Sequence, residues 1–200
     1  RRARPLPDPP PLFRPRATSG GATAQRSATR TRLSAMSVLV PAPVQSPAIV
    51  YGTAWKRERT ASLVERALVL GFRGIDTACQ PKHYDEAAVG RALAAAFARG
   101  IAREELYLQT KFTPLGGQDP RRVPYDKRAR VAVQIEQSCL TSLANLGTDH
   151  VDALLLHSPI SPFEALREAW QALEAQVDAG RVHRLGISNC YDLHLLSTLH

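Results

Sequence analysis

The chain has 200 residues, of which 44% are hydrophobic and 22% charged, with 15 Pro and a formal net charge of +8. This composition excludes a collagen, a coiled coil and an acidic disordered polymer. The sequence contains no run of 18 apolar residues, so we expect no transmembrane helix and no membrane partner. Cys79, Cys139 and Cys190 lie far apart and outside any CxxC or Cys/His spacing, so we expect neither a disulfide framework nor a metal site.

The positive charge is concentrated at the start of the chain. Residues 1–35 contain eight Arg and one Asp and have almost no apolar periodicity. Because the remaining residues are almost neutral, we expect no nucleic-acid partner, which would require Lys and Arg clustered on folded structure. We expect residues 1–46 to be a disordered basic leader, which is either a transit peptide or translated upstream sequence. The protein is then cytoplasmic, or plastid or mitochondrial if the leader is a transit peptide.

Beyond the leader, amphipathic helical stripes alternate with short apolar runs. The stripes have apolar residues three and four positions apart, the first of them at Leu63, Ala67 and Leu70. Each stripe is followed by a glycine: Gly71, Gly100, Gly147 and Gly180. A glycine after a helix adopts the left-handed C-cap conformation without a Cβ clash. The apolar runs lack alternation, which is typical of strands buried on both faces of a parallel sheet. These runs are residues 48–53, 72–78, 106–112, 151–157 and 182–189.

Strands that alternate with helices indicate an α/β fold with a parallel sheet. No GxGxxG motif follows the first strand, which weakens the case for a doubly wound dinucleotide-binding fold. We therefore predict a parallel (β/α)8 TIM barrel, of which residues 47–200 hold about five β/α units, because a complete barrel has about 250 residues. The last stretch has Leu193, Leu196 and Leu199 at helical spacing and no cap, so we expect the chain to stop inside a helix and the barrel to be incomplete.

Polar side chains lie at the ends of four of the predicted strands. The last residues of the second strand include Asp76, those of the third Lys111, those of the fourth His157, and those of the fifth Ser188 and Asn189. In parallel α/β folds, ligands bind at the carboxyl ends of the strands. Each residue alone has a structural explanation, such as an N-cap or a solvated loop charge, but Lys and His are poor N-caps. The joint occurrence of these residues at equivalent positions favours a functional site.

Several ordered motifs carry a resemblance to a known family. They are Gly52-Thr53, residues 71–78 (GFRGIDTA), Glu86 with Val89-Gly90, residues 108–111 (LQTK), 138–146, 151–159 (VDALLLHSP) and 180–189 (GRVHRLGISN). Together these motifs resemble the aldo-keto reductases, from about Val50 to the end of the chain. The resemblance implies a barrel that binds NADPH without a Gly-rich loop and reduces the aldehyde or ketone group of a small-molecule substrate to an alcohol.

The resemblance also implies catalytic roles. In that family an Asp, a Tyr, a Lys and a His act on the carbonyl group, and three of these correspond here to Asp76, Lys111 and His157. Lys111, paired with Asp76, is expected to lower the pKa of the Tyr, because a nearby cation favours the phenolate. A phenol whose pKa lies nearer to neutrality is a better proton donor at neutral pH. His157 is expected to orient the carbonyl oxygen.

The resemblance further implies contacts with NADPH. The expected cofactor-binding residues are Gly52, Thr53, Asp76, Ser188 and Asn189. Ser188 and Asn189 are expected to hydrogen-bond the nicotinamide carboxamide and to fix the face that it presents. Because later strands supply the remaining cofactor contacts in that family, we expect the 200-residue chain alone to bind NADPH weakly or not at all.

The resemblance leaves the proton donor open. The family's Tyr lies five residues after the Asp, where this sequence has Pro81. The spacing back from Glu86 places His83 at the Tyr position, whereas a loop longer by two residues lets Tyr84 occupy it. We expect Tyr84 to be the donor, with His83 as the alternative donor and as a substrate contact; a third alternative is that neither reaches the site. Trp55, after the first strand, is expected to line the substrate site.

Two other functions stay open at this point. Pro81 is compatible with a relative that binds the cofactor but has lost the proton donor. Lys111, between Asp76 and His157, is compatible with a barrel lyase that forms a Schiff base.

Residues 113–127 are rich in Gly, Pro and charge, and form either a substrate-lining loop or a surface insertion. No sequence pattern defines an oligomeric state.

Overall fold

The computed structural model describes residues 44–199. Residues 1–43 of the predicted leader therefore lie outside the described residues. The strands are β1 (Tyr51–Gly52), β2 (Gly74–Asp76), β3 (Tyr107–Phe112), β4 (Val151–Leu156) and β5 (Val182–Ile187). The α-helices are α1 (Thr60–Val69), α2 (Glu86–Ala98), α3 (Val131–Leu146), α4 (Phe163–Asp178) and α5 (Leu193–Leu199). Single 3-10 turns occupy Arg57–Arg59, Arg103–Glu105 and Leu115–Gly117. No helix in this part of the chain is long and apolar enough to cross a bilayer.

The five strands form one parallel sheet in chain order, from β1 to β5. In the register, Gly52 lies opposite Asp76, Asp76 opposite Gln109, and Phe112 opposite Leu156. Each strand is followed by a helix that returns the chain to the amino edge of the sheet, as in a (β/α)8 barrel. The predicted fold class is therefore confirmed as a partial barrel. All carboxyl strand ends lie along one edge, where the predicted site residues are found.

The hydrophobic core lies between the sheet and the helices. Its largest fully buried side chains include Ile75, Leu108 and Leu154 from the strands. The apolar face of α1 differs from the one predicted by the sequence, which included Leu70. Leu68 is buried, whereas Leu70 is 68% exposed, because α1 ends at Val69 and Leu70 forms its C-cap.

The four glycines predicted to follow helices all have positive φ. The values are 94° at Gly71, 95° at Gly100, 69° at Gly147 and 70° at Gly180. Gly147 is the C-cap of α3, and its N–H donates to the Leu143 carbonyl at 2.9 Å. A left-handed backbone is disfavoured for residues with a Cβ, so the spacing of these glycines sets where the helices end.

The start of α2 is fixed by a cap and by a close helix contact. The Asp85 carboxylate accepts a hydrogen bond from the Ala88 N–H at 2.8 Å, which is an N-cap interaction. At Gly90 an added Cβ would lie 2.0 Å from the Asn145 carbonyl oxygen, so α2 and α3 meet backbone to backbone. These contacts hold the loop that connects β2 to α2, which carries His83 and Tyr84.

A buried ionic network joins the amino ends of the central strands. Asp152 of β4 is fully buried and accepts hydrogen bonds from Arg103 Nη2 at 2.8 Å and the Leu108 N–H at 2.9 Å. Its other oxygen accepts from the Val44 N–H at 3.2 Å, and the Val44 carbonyl accepts from Arg184 at 2.6 Å. The network therefore holds the segment before β1, at Val44, together with β3, β4 and β5 at the edge opposite the predicted site.

Candidate active site

An ion pair between Lys111 and Asp76 lies at the carboxyl ends of β3 and β2. The Lys111 ammonium is buried and donates to Asp76 Oδ1 at 2.5 Å and to the Thr77 carbonyl at 2.9 Å. Asp76 Oδ1 also accepts from the Gln109 side-chain amide at 2.7 Å. Gln109 was not predicted from the sequence, although its position opposite Asp76 in a parallel register is the signal that identifies it. The expected proximity of Asp76 and Lys111 is thus present in the structure.

Tyr84 lies beside this ion pair, in the loop between β2 and α2. Its ring centroid is 5.4 Å from Lys111 Nζ and 6.0 Å from the His157 ring, which it meets edge to face. A turn supports this position, because the N–H groups of His83 and Tyr84 both donate to the Gln80 carbonyl at 3.0 Å. The structure therefore brings Tyr84 to the other three residues of the expected tetrad, despite the longer loop.

Burial raises the pKa of Tyr84 above its usual value, and the negative charge of Asp76 raises it further. The sequence argument expected Lys111 to lower this pKa. In the structure, Asp76 offsets the charge of Lys111, so the phenol experiences burial and the carboxylate more strongly than the ammonium. Tyr84 consequently carries its proton at neutral pH.

His157 follows β4 and is held by both neighbouring strands. The backbone N–H of His157 donates to the Phe112 carbonyl at 2.9 Å, and its backbone carbonyl accepts from the Asn189 side-chain amide at 2.7 Å. Burial lowers the pKa of His157 to about 4, with the Lys111 charge as the second cause, so the imidazole is neutral at pH 7. The Thr113 hydroxyl lies 2.7 Å from His157 Nδ1. When this hydroxyl donates to Nδ1, the ring proton lies on Nε2.

Thr113 was not predicted from the sequence. It follows Phe112, which pairs with Leu156, so the parallel register makes Thr113 the lateral neighbour of His157. A polar residue one position beyond a strand end, beside a candidate histidine, is the sequence signal that identifies it. Residues 44–199 contain no group of three or more His, Cys, Asp or Glu side chains placed to hold a metal ion.

Trp55 and His83 form a stacked pair next to Tyr84. Their ring centroids are 3.7 Å apart, and the backbone N–H of Trp55 donates to the His83 carbonyl at 2.8 Å. The indole is 63% exposed, whereas His83 Nδ1 is buried without a hydrogen-bond partner in the described part of the chain. Both rings line a cleft of about 550 Å³ that Tyr84 also lines. The structure therefore places both expected substrate contacts at one opening.

The residues expected to bind the cofactor lie at both ends of the carboxyl edge. Thr53 is fully buried, and its hydroxyl donates to the Asp76 carbonyl at 2.9 Å, so this side chain joins β1 to β2. Gly52 is exposed and has no heavy atom within 4 Å of the position a Cβ would occupy. Ser188 and Asn189 follow β5 beside His157, where the Ser188 N–H donates to the Leu156 carbonyl at 2.8 Å.

A partial (β/α)8 barrel with titratable side chains gathered at the carboxyl ends of its strands is typical of barrel enzymes. Comparison with known families refines this class. The model of the Aldo/keto reductase family matches residues 48–199. The chain belongs to the aldo/keto reductase family.

Individual relatives agree with this assignment. An aldo-keto reductase of Mycobacterium bovis is 35% identical over 139 residues, which cover 69% of this chain and 43% of that protein. The methylglyoxal reductase DkgA of Salmonella typhimurium is 34% identical over 147 residues, which cover 72% of this chain and 46% of that protein. The crystal structure of a Bombyx mori aldo-keto reductase in complex with NADP has a TM-score of 0.62 and 29% identity, covering 77% of this chain and 50% of that one. The chain spans less than half the length of these two curated relatives.

Proposed function

We propose that the complete gene product reduces an aldehyde or ketone to an alcohol with NADPH at the carboxyl edge of the barrel. The observation that carries the proposal is the convergence of the Asp76–Lys111 ion pair, Tyr84 and His157 at the ends of β2, β3 and β4. Similarity to a protein named as a methylglyoxal reductase and to one solved with NADP supports both parts of the reaction.

Tyr84 is the proposed proton donor. Its ring is adjacent to both Lys111 and His157, whereas the His83 ring stacks against Trp55. Because burial keeps Tyr84 protonated, the phenol holds a proton to deliver to the carbonyl oxygen as negative charge develops there. The Lys111 ammonium, 5.4 Å from the ring centroid, then stabilises the phenolate that forms.

His157 is proposed to position the carbonyl oxygen. When the Thr113 hydroxyl donates to Nδ1 of the neutral imidazole, Nε2–H is left as the hydrogen-bond donor for the substrate. A neutral donor orients the oxygen without competing with Tyr84 for proton transfer. Thr113 is proposed as a positioning residue, because it holds the imidazole through Nδ1 and does not contact the reacting atoms.

The cofactor-binding assignment rests on the groups at the end of β5. The Asn189 amide NH₂ is used by the His157 carbonyl and the Ser188 hydroxyl oxygen, which leaves the Asn189 amide oxygen and the Ser188 hydroxyl proton for a ligand. One acceptor and one donor side by side fit a carboxamide such as that of nicotinamide. Bound NADPH would supply the hydride. The Asn189–His157 hydrogen bond would hold the nicotinamide contacts and the imidazole in one fixed arrangement.

The alternative of a Schiff-base lyase receives less support from the geometry. Lys111 Nζ donates to both Asp76 and Thr77, so its nitrogen is engaged by two acceptors. A nucleophilic amine must be deprotonated and free to attack a carbonyl. Trapping of a substrate on Lys111 by borohydride would establish the lyase instead.

The experiment is hydride transfer measured with the complete gene product and NADPH deuterated at the transferable position. We expect deuterium at the carbinol carbon of the product. We expect Lys111→Met to lower kcat by about 100- to 10,000-fold, the range typical of lost acid catalysis. Tight NADPH binding without product over a broad panel of aldehydes and ketones would overturn the proposal and identify a non-catalytic relative.

A further inference from the structure

We propose that the substrate carries an anionic group, such as a carboxylate, and that a basic cleft beside Tyr84 binds this group. This inference rests on the proposed function for the identity of the reacting carbonyl. The basic cleft has a volume of about 550 Å³ and is lined by Trp55, Arg57, Lys82, His83, Tyr84 and Arg122, among others. Its cationic residues come from three separate segments: the turn after β1, the β2–α2 loop and the long loop after β3.

The carboxylates that line the basic cleft are engaged elsewhere. Asp85 caps α2 through the Ala88 N–H. Glu86 is buried, and its carboxylate accepts hydrogen bonds from Thr110 at 2.6 Å and from Ser142 at 2.9 Å. Burial also raises the pKa of Glu86. Glu86 is therefore satisfied by its own hydrogen bonds, and Asp85 is a single acid among three cationic lining residues.

Two cations of the basic cleft lack a salt bridge. Arg122 pairs with Asp119 at 3.0 Å, which offsets its charge. Arg57 and Lys82 take part in no salt bridge within residues 44–199. In a concave site with protein walls, such cations attract an anionic ligand more strongly than they do on an open surface.

The cleft also offers an apolar surface next to its charges. Trp55 is held by its stack with His83 and its backbone hydrogen bond to that residue, yet its indole is 63% exposed. A flat apolar ligand segment fits against such a ring. Tyr84 lines the same cleft, so the proposed donor borders the site in which the anion would bind.

The test compares 4-carboxybenzaldehyde with its uncharged methyl ester in the complete gene product. We expect a lower KM for the acid, with similar kcat values. Lys82→Gln and Arg57→Asn should each raise the KM of the acid about threefold and leave that of the ester unchanged, as expected for partly exposed charge pairs. Asn is chosen at residue 57 because Arg57 has φ 51°, which Asn tolerates.

A matched control is available one position before Arg57. Lys56 carries the same charge, but its ammonium lies over the Tyr51 ring, 5.8 Å from the centroid, and it does not line the basic cleft. Lys56→Gln should leave both KM values unchanged. High salt should narrow the difference between acid and ester in the unmodified protein, because screening weakens these interactions.

Calorimetry separates this inference from the proposed function. Binding of 4-(hydroxymethyl)benzoate, compared with 1,4-benzenedimethanol, requires no turnover. We expect the anion to bind more tightly and Lys82→Gln to remove part of that preference. Equal binding of the two alcohols, or loss of NADPH affinity in place of anion affinity in the variants, would overturn the inference. A protein that shows the anion preference but reduces no carbonyl would overturn the proposed function alone.

Discussion

The two edges of the sheet each contain an acid paired with a cation, but Asp152 is fully buried whereas Asp76 is partly exposed, and the two pairs differ in what surrounds them. At the amino edge, Arg103 donates to Asp152 and also to Thr148, Leu106 and His150. At the carboxyl edge, Lys111 donates to Asp76 and Thr77, and Tyr84 and His157, both with shifted pKa values, lie beside it.

This difference separates a structural ion pair from a candidate catalytic one. At the amino edge, the Arg103 guanidinium and the Asp152 carboxylate both hydrogen-bond backbone and side-chain groups. These bonds hold three strands and the segment before β1 together. At the carboxyl edge, titratable groups adjoin a cleft, and Thr77 Oγ1 and His83 Nδ1 are among the atoms buried without partners in the described part of the chain, whereas at the amino edge His183 Nε2 is such an atom. Buried polar groups are normally satisfied, so the less saturated edge is where function is expected.

The largest expected effect on stability is at the amino edge. Asp152→Ala leaves the largely buried Arg103 guanidinium without its carboxylate, and breaking a buried pair costs about 3–5 kcal/mol of the free energy of unfolding. Denaturant unfolding of the variant and the unmodified protein measures this cost. The kcat of the folded variant should be unchanged, since Asp152 lies at the edge opposite the site. A loss of kcat with little loss of stability would reverse the roles given to the two edges.

A smaller effect, on kcat, is expected at Thr113, which was not predicted from the sequence. Thr113→Val removes the hydroxyl that lies against His157 Nδ1 but keeps the side-chain shape. With the tautomer no longer selected, kcat should fall by about tenfold, the lower end of the losses seen when a partner of a catalytic group is removed. Thr113→Ser should restore most of kcat, because it returns the hydroxyl. Equal kcat values for all three proteins would show that Thr113 has no positioning role.

The smallest expected effect is a change in how stability depends on pH. His157 has a folded pKa of about 4 against an ordinary value of 6.5, so the unfolded chain binds its proton more readily. Its contribution to stability is full above pH 6.5 and decreases as the pH falls toward 4. His157→Gln should flatten the stability profile in that window. A lowered pKa at His183 keeps some slope in the variant, so an unchanged profile contradicts the assignment at His157.

The fold was largely predictable because its signals are local. Helix stripes followed by glycines, and apolar runs without alternation, predicted the helices and the parallel strands that the structure contains. Leu70 was placed wrongly because helical periodicity does not show where α1 ends. The strand-end positions of Asp76, Lys111 and His157 followed from the same local patterns.

The rest of the site depends on contacts between distant segments. The offset of the Lys111 charge by Asp76 determines the direction of the Tyr84 pKa shift, and this balance depends on distances and burial that no spacing gives. Thr113 and Gln109 required the strand register. The basic cleft draws its cations from three loops, so no single stretch of sequence indicates it.

The most direct test of the central claim is the kcat of Tyr84→Phe, measured with NADPH and an aldehyde in the complete gene product. Tyr51→Phe is the matched control, because it removes the same hydroxyl from a ring that packs on Phe72 away from Lys111. The account predicts a loss of about 100- to 10,000-fold for Tyr84→Phe and no loss for Tyr51→Phe. Full activity in Tyr84→Phe together with its loss in His83→Ala would contradict the account and assign proton donation to His83.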